Sequence, residues 1–222
     1  MRVPKDFSFT FSPDRLVVPF EGADRLNNRY YSQALQDIYA LSCLNGKTDG
    51  VFLDLGCNHP YRFSNSYLME SQFNWKGICV DIDPASKIEF KEAQRKATVL
   101  IQDATTLDFN VIADTLGTTH IDYLSLDLEP ASVTLKCLQS IPFDVLSFSV
   151  ITFEHDGYRF GDEARIPSRE LLKSKGYVLV CENVDNFEDW YINPDHVPVN
   201  RIKPFVCTGD HKSASNIVLK LN

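Results

Sequence analysis

The sequence predicts an α/β fold built on a Rossmann-like, doubly wound sheet of seven strands, and three observations predict it. Short apolar runs alternate with helix-patterned segments from about residue 50 onward, the mark of a sheet built from βα units. The first clear run, Val51-Phe-Leu-Asp-Leu55, is closed by Gly56, a strand running into a glycine turn. The next runs also end in acids, which places polar chemistry outside the carboxyl ends of the strands, where such sheets bind ligands.

The elements follow in order. Ser66 to Trp75 is helix-patterned, and Gly77 to Val80 forms a second strand. Asp83-Pro84 opens a second helix, with an acid at the cap and proline at the first helical position. Thr98 to Ile101 makes a third strand and Ile121 to Leu126 a fourth, followed by a helix around Ser132 to Leu138. Phe143 to Phe153 carries the fifth strand, Ser168 to Lys175 a helix, and Gly176 to Val180 the sixth strand. Ser215 to Lys220 is expected to close the sheet as its last strand. Residues 1–49 differ from this pattern: Pro4, Pro13 and Pro19 break the early part, and Ser32 to Leu44 is amphipathic. They are expected to form an appendage contributing to an active-site lid, with residues 50–222 as the core domain.

The 222 residues are 44% hydrophobic and 23% charged, ordinary globular composition that excludes wholesale disorder. A net charge of −8 argues against general nucleic-acid binding, which needs many phosphate-neutralising cations. No apolar run approaches the roughly 20 residues that span a bilayer, so no membrane insertion is expected. Six scattered cysteines without a Cys-x-x-Cys pair read as small buried hydrophobes, and the expected location is cytoplasmic. Nothing in the sequence fixes the oligomeric state.

The chemistry concentrates at strand tips. Asp54-Leu-Gly-Cys-Asn58 is a strand, an acid and a turn at which only a residue without a Cβ permits close backbone approach. It lacks the three glycines of a dinucleotide fingerprint, which argues against a nicotinamide oxidoreductase. Asp81, 25 residues beyond Gly56, ends the second strand, where an acid can accept both hydroxyls of a ribose while Ile82 covers a base. Asp103-Ala104 ends the third, where a carboxylate can accept from an adenine amino group.

Here the chain resembles class I S-adenosylmethionine-dependent methyltransferases of the FkbM type. Asp54-Leu-Gly-Cys-Asn58 resembles the family's glycine motif, and Asp81 with Asp83-Pro84 its ribose acid and following turn. Ser64-Asn-Ser66, Glu70 and Trp75-Lys-Gly77 are similar to its Ser-Asn-Thr, Glu and Gly-Trp-x-Gly series. Asp127-Leu-Glu129 resembles its Asp-x-Glu segment, although Pro130 stands where the family usually has glycine, and Ser32-Gln33 with Asp37 resembles its upstream Ser-Gln and acid. The resemblance spans residues ~30 to ~190 in order and implies S-adenosyl-L-methionine as cofactor. It places Gln33, Asp54, Gly56, Asn58, Asn65, Ser66 and Asp127 around the cofactor, with Asp81, Ile82, Asp103 and Ala104 at the nucleoside.

The implied reaction is O-methylation of a sugar or glycoconjugate hydroxyl, with Asp127, Glu129, Glu154 and His155 near the transferred methyl. An alcohol needs its proton removed, by His155 or by a carboxylate such as Asp127. A divalent metal, Mg or Mn, held by Asp127 and Glu154 is a further route that the residues leave open. So does a different class of function: a catalytically silent module that binds the cofactor or a protein partner. The appearance of S-adenosylhomocysteine with candidate glycans separates the two. A non-sugar hydroxyl acceptor is the remaining alternative.

Overall fold

A computed structural model describes residues 7–205 and 213–220. The strands are β1 (Phe9–Thr10), β2 (Arg29–Tyr30), β3 (Val51–Leu55), β4 (Lys76–Asp81), β5 (Thr98–Ile101), β6 (His120–Leu126), β7 (Ser147–Glu154), β8 (Val178–Val184) and β9 (Glu188–Ile192). The helices are α1 (Gln36–Cys43), α2 (Tyr67–Phe73), α3 (Pro84–Glu92), α4 (Phe109–Leu116), α5 (Ala131–Ser140), α6 (Gly157–Phe160), α7 (Arg165–Ser174), α8 (Val199–Ile202) and α9 (Ala214–Val218).

Seven strands form one sheet in the order β5-β4-β3-β6-β7-β9-β8, so the α/β class and the doubly wound sheet expected above are what the chain adopts. The chain steps outward from β3 to β5, returns to place β6 beside β3, and steps outward again to β7. That reversal between β3 and β6 opens a crevice at the carboxyl ends of the parallel strands. All five residues of β3 are buried, as a central strand covered on both faces requires. Alternate residues feed the two layers: Phe52 and Tyr123 join the core beneath α1 and α2, while Leu53 and Leu124 join the one beneath α4, α5 and α7.

The final strand falls elsewhere than expected. Ser215 to Lys220 is not a strand; Ala214–Val218 is helical, and the seventh strand is β9, antiparallel to both neighbours. The Ser213 side chain accepts from the Asn216 amide, and Ala214, Ile217 and Val218 are buried at helical spacing, which outweighs the β-branched run. In β9 two acids hide the apolar pattern, because Glu188 and Asp189 are buried and satisfied internally. Glu188 accepts from Trp190 Nε1 at 2.7 Å, and Asp189 accepts from Arg169 Nε at 2.6 Å.

The N-terminal segment is not a detached flap. Every residue of α1 is buried, and Tyr39 stacks on Trp190 at 4.4 Å, so this segment supplies one layer of the core. The helix begins at Gln36, which leaves Gln33 in the preceding turn and puts Asp37 inside rather than on a polar face. Asp37 accepts from the Tyr31 amide at 2.9 Å and the Ser32 hydroxyl at 2.5 Å, fixing the turn that presents Gln33. Deleting residues 1–45 would therefore strip core together with Gln33.

Glu70 and Arg95 form a buried ion pair at 3.0 Å behind the glycine turn. Glu70 also accepts from the amides of Lys96 and Ala97, and Arg95 reaches Ser66 Oγ at 3.1 Å. These additional bonds offset the desolvation of two charges. Cys43, Cys57, Cys79, Cys137 and Cys181 are buried, while Cys207 lies outside the described residues. Among the described residues, no helix is long and apolar enough to cross a membrane.

Candidate active site

The carboxyl ends of five neighbouring strands converge on one cavity of about 560 Å3. Gly56 and Asn58 follow β3, Asp81 and Ile82 end β4, Asp103 and Ala104 follow β5, Asp127 and Glu129 follow β6, and Glu154 ends β7. Gln33 reaches the same cavity from the N-terminal segment. Thus ten of the residues singled out from the sequence line one wall-to-wall space.

Gly56 has φ +92°, and a Cβ there would lie 1.7 Å from the carbonyl oxygen of Asp127. The glycine is needed, but the backbone it admits is that of the next strand tip. The Asp127 amide donates to Leu55 O at 3.0 Å and the Gly56 amide to Val80 O at 2.9 Å, so three strand tips are tied at the turn. Asp81 sits at the centre of that arrangement. Its Oδ2 accepts from the Asn58 amide at 2.7 Å and its Oδ1 from the Asp83 amide at 2.8 Å. Each oxygen keeps a further lone pair, which suits a pair of adjacent hydroxyls. Ile82 is 72% exposed, an apolar side chain held in solvent at the cavity rim. Asp103 accepts from the amide and hydroxyl of Thr105, and those bonds hold its carboxyl below the usual range.

Asp127 and Glu154 both line the cavity, and their carboxyls influence each other's titration. Burial raises both, and Glu154 is raised further by Asp127 and by the neighbouring carboxylates. Behind them, burial pushes Glu188 up to about 8. Among the described residues, no group of three or more His, Cys, Asp or Glu side chains has an arrangement that could hold a metal ion.

Four expected site residues stand outside the cavity lining. Asp54 is buried and accepts from Ser66 Oγ at 2.6 Å, with its carboxyl pushed up to about 6 by burial. Asn65 donates to Ser125 Oγ at 2.9 Å. All three side chains are enclosed behind the glycine turn, where Asp54 and Ser66 satisfy each other and Asn65 Oδ1 has no hydrogen-bond partner among the described residues. They hold the turn rather than line the cavity.

His155 is the larger correction. It is 0% exposed, its Nδ1 accepts from the Gly157 amide at 2.9 Å, and its Nε2 lies 3.4 Å from Asp189 Oδ1. Burial opposes charge on Asp189, yet Arg169 and His155 outweigh it and hold its carboxyl down at about 2. The strand tip turns Glu154 toward the cavity and the next residue, by the alternation of a strand, away from it. His155→Ala is therefore expected to act on folding: the melting temperature falls, while the pH profile of turnover in the remaining folded protein keeps its shape. A profile that loses an ascending limb in that variant would restore the histidine as base.

The sequence reading missed Arg62 and Phe63, which also line the cavity. An aromatic beside a cation in the loop after the glycine turn was the available signal.

No protein-family model matches the chain, and no curated protein matches it. Solved structures with a similar fold include three methyltransferases at low identity. The N-methyltransferase NodS from Bradyrhizobium japonicum is 12% identical with a TM-score of 0.47, over 72% of this chain and 94% of that one. The precorrin-6y C5,15-methyltransferase from Geobacter metallireducens is 13% identical with a TM-score of 0.46, over 70% and 86%. The TehB-like SAM-dependent methyltransferase from Corynebacterium glutamicum is 17% identical with a TM-score of 0.45, over 71% and 87%.

Proposed function

We propose that this chain is an S-adenosylmethionine-dependent O-methyltransferase whose acceptor is a hydroxyl of a sugar or glycoconjugate. The observation that carries the cofactor reading is Asp81, a carboxylate fixed by two amides at the tip of β4 with one acceptor site left on each oxygen, beside the Gly56 turn. Asp81 would accept from both ribose hydroxyls. Ile82 would cover the base, Asp103 and Ala104 would face its edge, and Gln33 with Asn58 would face the amino-acid end. When bound, S-adenosylmethionine supplies a methyl group on a sulfonium, open to in-line displacement.

The protein's own part is alignment and proton removal. An alcohol is a poor nucleophile while it keeps its proton, and a positioned base contributes roughly 10²- to 10⁴-fold. The Asp127–Glu154 pair is suited to this: burial raises both carboxyls above the ordinary range, which makes each a stronger base when ionised, and both line the cavity. The sugar acceptor is suggested by the resemblance to FkbM-type enzymes over residues ~30 to ~190.

Calorimetric titration with S-adenosylhomocysteine tests the cofactor reading. Binding is expected in the wild type, and Asp81→Ala should weaken it about 10- to 100-fold, the worth of hydrogen bonds to a charged group. No heat from folded wild-type protein, or unchanged affinity in the variant, would overturn the assignment.

A further inference from the structure

A second, smaller cavity of about 320 Å3 adjoins the first, and the two share Arg62 and Phe63 as lining residues. Phe7, Ser8 and Phe9 complete it. Phe63 has φ +56°, a backbone region that a bulky side chain adopts only at a cost, and a bridge between Phe63 and Ser32 holds it there. The cost is not recovered by burying the ring, which stays 40% exposed. Phe9 is 39% exposed, its ring lies 6.2 Å from that of Phe63 and within 9° of parallel, and it is backed by Tyr30 at 5.0 Å. The Arg62 guanidinium lies 4.9 Å from the Phe63 ring centre. Among the described residues it has no carboxylate partner, and it is the one cation lining either cavity.

We infer that Phe9, Arg62 and Phe63 form the acceptor subsite, and that it takes a pyranose ring carrying an anionic substituent. This rests on the methyltransferase reading of the adjoining cavity. Aromatic faces are electron-rich and attract the C–H face of a sugar ring, while hydroxyls at the ring edge seek polar partners such as Arg62 and Gln33. Charge settles the substituent. Asp81, Asp103, Asp127, Glu129 and Glu154 surround the inner cavity, so an anion on the acceptor is repelled from that side and drawn to the guanidinium at the rim. The acceptor is thereby oriented, with its charged end at Arg62 and a hydroxyl toward Asp127 and Glu154.

The probes are methyl β-D-glucuronide and methyl β-D-glucoside, titrated by NMR into full-length protein saturated with S-adenosylhomocysteine. The glucuronide should bind the wild type about two- to fivefold more tightly than the glucoside, the scale of one exposed charge contact. Phe9→Ala and Phe9→Leu should weaken both sugars severalfold and leave S-adenosylhomocysteine affinity unchanged, since Phe9 lines only the outer cavity. Arg62→Gln should erase the preference for the acid. Absence of cofactor binding would remove the underlying reading and this inference with it. Normal cofactor binding with no glucuronide preference, with sugar affinity indifferent to Phe9, or with 4-nitrocatechol bound more tightly than either sugar, would overturn the inference alone.

Discussion

Gly56→Ala is expected to abolish measurable S-adenosylhomocysteine binding, whereas Gly117→Ala leaves it intact. Both glycines have positive φ, +92° and +71°, so both substitutions incur the conformational cost of placing an L side chain there, about 1–3 kcal/mol. They differ in what surrounds them. Nothing lies within 4 Å of a Cβ at Gly117, which ends α4 on the surface. At Gly56 the new methyl would sit 1.7 Å from the Asp127 carbonyl oxygen, and backbone cannot rotate aside as a side chain can. Either the turn or the tip of β6 must move by an ångström or more. That displacement uncouples the Asn58 amide from Asp81 and shifts the Asp127 carboxyl, so cofactor and base are lost together. Thermal unfolding reads the shared cost and titration reads the added one. Equal affinity in the two variants would show that the crevice does not depend on the contact between these strand tips.

The strand tips were the legible part of this sequence. Val51-Phe-Leu-Asp-Leu55 reads as a strand because a parallel strand buried on both faces is a continuous apolar run, and Thr98-Val-Leu-Ile101 reads as one from its β-branched residues although it is the partly exposed edge strand. Which side chain at a tip faces the cavity was harder to read, because one residue of chain reverses the direction. Glu154 and His155 are adjacent in sequence, yet only the first lines the cavity. The β9 strand was illegible for another reason. Its Glu188 and Asp189 look like loop acids until Arg169 and Trp190, brought from elsewhere or from two residues on, satisfy them. Likewise α1 reads as an appendage because it precedes the first sheet strand, while its burial against Trp190 depends on a contact roughly 150 residues away in sequence.

Asp127→Asn is expected to lower methyl transfer about 10²- to 10⁴-fold while making the protein less sensitive to rising pH. Asp127 and Glu154 are raised by burial, Glu188 is raised to about 8 and Asp54 to about 6. A native acid that titrates above its unfolded value holds more protons than the unfolded chain between the ordinary carboxylate range near 4 and its native value. Its contribution is therefore most favourable at low pH and is lost as pH rises through that interval. Asp189, held down at about 2, works in the opposite direction, but its stabilisation is complete above the ordinary range and lost only on strong acidification. The wild-type melting temperature should accordingly fall between pH 5 and pH 8. Replacing Asp127 by the neutral amide removes one of the coupled acids and relieves Glu154 of a like charge, so the decline becomes shallower. Activity has the reverse dependence, since the pair must be able to accept the acceptor's proton, and wild-type turnover should rise over the same interval in which stability falls. A purely structural carboxyl would lose stability on substitution and keep its turnover. Asp127→Asn protein with normal turnover, or with the wild-type slope of melting temperature against pH, would remove the pair from the reaction.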